Sequence, residues 1–402
     1  MNERGAQARV VIAGGGVAAL EATLALRALS QEPLSIELIA PERDFVYRPL
    51  AVADPFLVGE TRSFPLAKLA EAAGGSLSGG KVAAVDAERR VVTTENGREI
   101  AYDALLVALG ARLREAVPNA LTFLGPESGT ALTSILDDAL AGEIRRLVFA
   151  MPAGVGWPLP IYELALLARA FLVDRGASRV EIVLVTPEDR PLTLFGSRAS
   201  DAIAELLEVR GITCRLETTP VRFGAGVLRV APEDEIEADR VVALGRPIGP
   251  RLEGLPHDGE GFLPTDAFCR VGSEPDVYAA GDATQFPLKQ GGIAAQQADV
   301  AATHIAARFG STLEPAPFRP VLRGLLLTGM AARFLRAEPG TAESSINTEA
   351  LWWPPAKIVG RYLAPFLAGT LGLSEELPPS TGESAVVEVE MGLGDHATWT
   401  GI

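Results

Sequence analysis

The stretch Arg9–Leu26, RVVIAGGGVAALEATLAL, constrains the fold more than any other part of the chain. Val10, Val11 and Ile12 make a short apolar strand. Gly14, Gly16 and Ala19 follow as G-x-G-x-x-A, and an alanine- and leucine-rich helix begins at once. Each position has a physical reason. Gly14 permits the tight turn out of the strand, Gly16 has no side chain to hold a pyrophosphate off the backbone, and Ala19 lets the helix pack close to the sheet. The first helical turn, at Val17 and Ala18, turns free N–H groups and the positive end of the dipole towards the phosphates. Alone the motif is weak. Between the strand and the helix that it requires, it predicts an α/β fold with a dinucleotide site.

Composition narrows the rest. A length of 402 residues implies two or three domains, each with its own core. The net charge of −15 and the lack of a basic run argue against a nucleic-acid partner. Cys214 and Cys269 lie far apart with no C-x-x-C, so neither a disulfide framework nor a zinc site is expected. His257, His304 and His396 have no metal-ligand spacing, and no metal is expected. The opening MNERGAQARV is too polar for a signal peptide, and no apolar run reaches the length of about 20 residues that spans a membrane. The expected location is cytoplasmic.

Further strands and helices follow the first unit. Ser35–Ala40 is the second strand. An acid usually closes such a strand to hold a ribose; here Ala40 stands there, and Glu42 follows on the loop as the candidate. Arg89–Thr94 and Glu99–Tyr102 flank Asn96-Gly97, a hairpin signal. Asp103–Arg112, DALLVALGAR, is a buried strand ending in glycine. A second α/β unit has strands at Arg146–Ala150 and Val180–Thr186 and a helix at Leu159–Leu172. Ala238–Gly245, ADRVVALG, echoes DALLVALG, an internal repeat of a domain-closing strand. Pro275–Asp282, PDVYAAGD, is one more strand, and a helix begins near Gly292. Beyond Phe318, short apolar runs with aromatics and prolines indicate a separate C-terminal region.

G-x-G-x-x-A, ALG at Ala108–Gly110, ALG at Ala243–Gly245 and YAAGD at Tyr278–Asp282 stand in the order found in flavoproteins with two dinucleotide domains. The chain resembles the pyridine nucleotide–disulfide oxidoreductase superfamily. PERDFVYRPL (Pro41–Leu50) and KQGGIAAQQAD (Lys289–Asp299) look most like its sulfide:quinone reductase and type II NADH dehydrogenase branches. The resemblance covers roughly the first three quarters of the chain. It implies two Rossmann-like three-layer domains, with the second inserted into the first. The FAD-binding domain would take 1–112 and 245–317, the NAD(P)-binding-like domain 113–244, and a C-terminal α+β interface or lid region 318–402.

The resemblance also implies roles. Gly14, Gly16 and Ala19 match the ADP-binding turn, and Glu42 takes the ribose position. Arg48 and Pro49 match the loop beside the flavin and its phosphates. Val82 matches the strand whose backbone meets adenine. Ala108 and Gly110 close the first FAD motif. Asp282 matches the acid that accepts hydrogen bonds from the ribityl chain, with Gly281 allowing close approach; Asp282 is equally suited to cap a helix. Gly292, Ala295 and Gln296 lie on the helix whose N-terminus points at the pyrimidine edge, where its dipole stabilises the anionic reduced ring. Lys289 reads either as a partner of the ring or substrate, or as a surface lysine.

The second nucleotide motif departs from the family pattern. Relatives that use NADH keep G-x-G-x-x-G-x-E; aligned on Glu163, this chain has Gly156-Trp157-Pro158-Leu159-Pro160-Ile161-Tyr162-Glu163. Trp157 and Pro158 crowd a pyrophosphate, each proline removes an N–H donor, and the next strand ends in Thr186 without an acid at its tip. NAD(P)H binding in the usual mode is therefore disfavoured. The sulfide-oxidising branch has a similar proline-rich segment but carries a redox cysteine near the place of Trp157. Cys214 and Cys269 both read as core residues, so persulfide and disulfide chemistry are not expected, and no catalytic residue can be named.

Leu351–Leu373 carries Trp352, Trp353, Tyr362 and Phe366 with Lys357 and Arg361. It reads either as a peripheral anchor on the inner face of a membrane or as a lid or homodimer contact. The tail from Ser374 is expected to be loosely ordered. The function expected is an FAD-dependent oxidoreductase passing electrons from a small-molecule donor to a quinone-like acceptor. NAD(P)H:acceptor reduction through an atypical nicotinamide site, and a non-catalytic flavin-binding redox sensor, stay open as alternatives.

Overall fold

The computed structural model describes residues 7–341 and 343–371. Two parallel five-stranded sheets form its frame. In the first, the strands run in the order Val277–Ala279, Ala104–Val107, Arg9–Ala13, Ser35–Ala40 and Ser76–Gly79. In the second the order is Leu121–Phe123, Arg240–Leu244, Arg146–Ala150, Glu181–Val185 and Ile212–Arg215. Helices cover both faces of a parallel sheet, which is why VVIA, ALLV and LVFA are unbroken apolar runs with every residue buried. The echo between DALLVALG and ADRVVALG is structural. Ala104–Val107 pairs with the first strand of one sheet, and Arg240–Leu244 pairs with Arg146–Ala150 of the other. The α/β class is the one that the sequence implies.

The helices are α1 (Val17–Leu29), α2 (Leu66–Ala72), α3 (Gly129–Ala141), α4 (Leu159–Asp174), α5 (Ser197–Val209), α6 (Gly291–Arg308) and α7 (Leu363–Leu371). Alanines at 18, 19, 22 and 25 on α1, and at 294, 295, 298, 301 and 302 on α6, are all buried. Side chains this small let the two helices and the first sheet approach closely. The hairpin forms as expected between Val91–Thr94 and Glu99–Ala101, with Gly97 at φ +80°.

Two expectations need correction. Asp103–Arg112 is not one strand: pairing stops at Val107, the chain turns at Gly110 (φ +68°), and Arg112–Arg114 starts a separate ribbon with Arg246–Ile248. That antiparallel ribbon carries the chain into and out of the second sheet. Leu351–Leu373 is not one amphipathic element either. Pro354, Pro355 and Gly360 hold it irregular until α7 opens at Leu363. Gly372, Leu373 and the tail from Ser374 lie outside the described residues.

A three-stranded antiparallel sheet of Leu322–Leu326, Arg333–Ala337 and Ser344–Asn347 follows α6. It packs against the start of α4: a Cβ on Gly324 would lie 2.8 Å from the Phe195 ring and 3.5 Å from Leu159. The C-terminal region thus spans both sheets.

Candidate functional site

The turn after Arg9–Ala13 has two unlike glycines. Gly14 (φ +132°) faces the neighbouring strand, where a Cβ would stand 2.2 Å from the carbonyl oxygen of Ala108. Its N–H donates to the Ile39 carbonyl at 2.8 Å. Gly14 is therefore required by the fold itself. Gly16 is exposed and a Cβ there would meet nothing within 4 Å, so no packing demands a glycine. Gly16 is also the N-cap of α1 and no side chain caps that helix. The first-turn N–H groups of α1 are left pointing at open space, the arrangement that receives a phosphate.

Gly281 (φ +77°) brings the third element in. A Cβ on it would lie 3.1 Å from that of Ala294 and 3.4 Å from that of Ala18, so the starts of α1 and α6 converge there. Asp282 follows, partly buried, and its carboxylate accepts no hydrogen bond from the described residues. Burial pushes its pKa up to about 6, against the opposing pull of Lys289. Lys289 donates to the Thr284 carbonyl and lies 3.7 Å above the Phe262 ring centroid. Burial lowers its pKa to about 8, opposed by Asp282 and Asp258. An acid without a donor and a glycine cradle without a packing reason fit the ribityl chain and pyrophosphate of FAD.

The other sequence candidates are arranged as follows. Ala108 is buried beside Gly14, just past the end of its strand, and Gly110 borders open space in the turn that follows. Val82 is buried at the start of its strand, and Glu42 is exposed on the loop after Ala40. Arg48 and Pro49 open a short 3-10 helix, and Arg48 makes a two-pronged pair with Glu127, just before α3, at 3.0 and 3.3 Å. Gly292 and Ala295 lie in the first turns of α6, where Gln290 caps the helix by accepting from the Ile293 N–H at 2.8 Å. Gln296 turns away. Its amide donates to the carbonyls of Gly292 and Val321 and accepts from the Val321 N–H at 2.8 Å, fixing the chain that leads into the C-terminal sheet.

Sequence reasoning missed the groups that close the site. Gln297 accepts from the Gly281 N–H at 2.8 Å and so fixes the Gly-Asp turn. Glu163, which in the sequence only aligns the second motif, is buried on α4. It receives the Lys357 ammonium at 2.6 and 2.8 Å and the Leu327 N–H at 2.9 Å. Burial raises the Glu163 pKa, opposed first by Lys357. The side chains of Lys357 and Glu163 are 7% and 1% exposed. Lys357 thus points inward, contrary to the cationic face that a membrane anchor presents. The neighbouring Ile358 covers the start of α6, where a Cβ on Gly291 would lie 3.1 Å from it. A single acid and a lone lysine 194 positions apart give no local signal of pairing.

The turn before α4 is filled by protein. A Cβ on Gly156 would lie 1.9 Å from the Pro287 carbonyl oxygen, so this glycine serves contact with the loop between Asp282 and α6. Trp157 packs edge-on to Phe195 at 5.9 Å. Glu188, the acid nearest the tip of Glu181–Val185, turns inward and accepts from the hydroxyls of Tyr162 (2.5 Å) and Thr186 (3.0 Å). Both cysteine thiols are pushed up to about 12 by burial.

The model of the pyridine nucleotide-disulphide oxidoreductase family matches residues 8–304. The chain belongs to this family. The protein is an FAD-dependent oxidoreductase. Among its relatives, the demethylphylloquinone reductase NdbB of Synechocystis is 27% identical over 352 residues, covering 79% of this chain and 83% of that protein. The biphenyl dioxygenase system ferredoxin–NAD(+) reductase component of Paraburkholderia xenovorans is 28% identical over 306 residues, covering 70% and 69%. The solved sulfide:quinone oxidoreductase of Aquifex aeolicus shares the fold with a TM-score of 0.78 at 19% identity, covering 90% of this chain and 95% of that one. Among the described residues, no helix is long and apolar enough to cross a membrane.

Proposed function

We propose that this flavoprotein passes electrons from a small reductant other than NAD(P)H to a quinone-like acceptor. The observation that carries this reading is the filled turn before α4. Gly156 sits against Pro287, Pro158 and Pro160 supply no N–H, and Glu188 is held by Tyr162 and Thr186. A pyrophosphate there would lose about three hydrogen bonds to charged oxygens, each worth ~1.5–3 kcal/mol. That loss weakens affinity more than about a thousandfold. The relationship to a protein named as a quinone reductase supports the acceptor class.

FAD, when bound, accepts an electron pair from the donor and delivers it to the acceptor. The residues of this chain hold and tune it. Gly14 and Ala19 set the turn at which Gly16, Val17 and Ala18 receive the pyrophosphate, while Glu42 takes the ribose and Asp282 the ribityl hydroxyls. Arg48 and Pro49 run beside the flavin and its phosphates, Val82 meets the adenine, and Ala108 and Gly110 close the first FAD motif. The N-terminus of α6 at Gly292, with Lys289 beside it, favours negative charge on the ring. Ile358 and the Lys357–Glu163 pair exclude water from the far side. The two sheets support division of the chain into the domains 1–112 with 245–317, and 113–244. Trp353 is 68% exposed next to this strap and supports peripheral contact with a membrane that carries the acceptor.

The reading is tested by anaerobic stopped-flow reduction of the FAD-loaded protein by NADH, NADPH and sulfide in turn. Neither nucleotide should reduce the flavin with saturation below about millimolar concentration. Saturation in the micromolar range would establish the NAD(P)H reading, which kinship to a ferredoxin–NAD(+) reductase component favours.

A further inference from the structure

Glu21 of α1 is fully buried, yet no cation among the described residues forms an ion pair with it. Its carboxylate accepts from the N–H groups of Tyr362 (2.8 Å) and Leu363 (2.6 Å), and so caps α7 from another helix. A Cβ on Gly360 would stand 2.4 Å from Glu21 Oε2, so the chain runs hard against the acid. Asp299 of α6 faces Glu21, and its Oδ1 is buried without a hydrogen-bond partner among the described residues. Two carboxyl groups in dry contact cannot both ionise; one shared proton turns repulsion into a strong acid–anion hydrogen bond. The charged or titratable groups that face the pair from the packed C-terminal segment are Arg361 and the Tyr362 phenol.

The same segment carries Lys357 to Glu163 and Ile358 to the start of α6, a few residues before the cap. We propose that Glu21 and Asp299 hold one proton between them as a clasp that keeps residues 357–363 closed over the start of α6, and that losing this proton opens the segment. The proton leaves to solvent. The two carboxylates then repel, Glu21 releases the Tyr362 and Leu363 N–H groups, and the start of α6 is uncovered. Burial raises both acids, Asp299 strongly, with Glu21 as the next cause for Asp299. The sign follows: a proton held more tightly in the closed form stabilises closure at low pH, and that advantage is lost as pH rises through the raised pKa. Glu21 and Asp299 are positioning residues. That the uncovered end belongs to the redox site rests on the function proposed above.

The test is digestion of the FAD-loaded protein with a lysine-specific protease. Cleavage after the buried Lys357 is followed by mass spectrometry, relative to a short lysyl peptide, from about pH 6 to pH 9. One proton lost on opening predicts a relative rate rising about tenfold per pH unit, levelling once Asp299 ionises in the closed form. Asp299→Asn, which donates an N–H to Glu21 at every pH, should remain protected with no such rise. Glu21→Gln should be cleaved faster at all pH values, with a flat profile. Flavin absorbance confirms that each variant is folded. A flat profile in the unaltered protein, or the same rise in Asp299→Asn, would overturn the clasp. Because turnover is not measured, failure of the proposed donor and acceptor leaves this test unaffected.

Discussion

Removing one partner of the Glu163–Lys357 pair should be costly, and removing both should not. Lys357→Met leaves the Glu163 carboxylate 1% exposed with the Leu327 N–H as its remaining donor. Breaking a buried pair this way costs about 3–5 kcal/mol, because the surviving charge stays desolvated. At about 2 °C per kcal/mol for a unit of some 200 residues, melting of the FAD-saturated protein should fall by roughly 6–10 °C. Glu163→Gln should cost a similar amount. The double variant Glu163→Gln/Lys357→Met should recover most of the loss, since both charges are gone. The pH dependence has a definite sign. In Lys357→Met the Glu163 pKa is raised further, so the folded form holds a proton that the unfolded form has released. The destabilisation should therefore grow as pH rises above the ordinary glutamate range and shrink as pH falls towards it. Additive losses in the double variant, or single losses below about 1 kcal/mol, would refute the reasoning.

Gly16→Val should abolish FAD binding while the apoprotein melts within about 1 kcal/mol of the unaltered one, since no protein atom lies where the side chain goes; calorimetric titration with FAD and thermal melting check the two halves separately. FAD affinity should weaken as pH falls below about 6, where Asp282 takes up a proton and loses the charge that strengthens its hydrogen bonds from the ribityl hydroxyls. Asp282→Asn should flatten that dependence in the same titration. Cys214→Ala/Cys269→Ala should retain flavin reduction by the physiological donor, because Cys214 is half-buried, Cys269 buried, and both thiols stay un-ionised near neutrality; lost reduction with FAD still bound would contradict this.

Much of the frame is local information and was legible. The unbroken apolar strands, the glycine turn at Gly14 and Gly16, and the repeated ALG strand are each written within about ten residues. What the sequence obscures is long-range. Nothing local to Glu21 says that it caps a helix 341 positions away, and nothing near Lys357 points to Glu163. Gly156 looks like the remnant of a phosphate turn; only the fold reveals that Pro287 occupies the place beside it. Gln296 and Gln297 are adjacent on α6, so helical geometry sends them to different neighbours: the first to Val321, the second to the Gly281 turn.

The central claim is that electrons leave this flavin for a quinone and are not exchanged with a nicotinamide. Double-mixing stopped flow tests it without knowledge of the donor. The bound flavin is photoreduced anaerobically and then mixed with a water-soluble quinone, and in a parallel arm the oxidised protein is mixed with NADH. The account predicts rapid, saturable reoxidation by the quinone and an oxidised flavin that NADH leaves unreduced. Saturable reduction by NADH, or quinone reoxidation no faster than that of free reduced flavin, would contradict it.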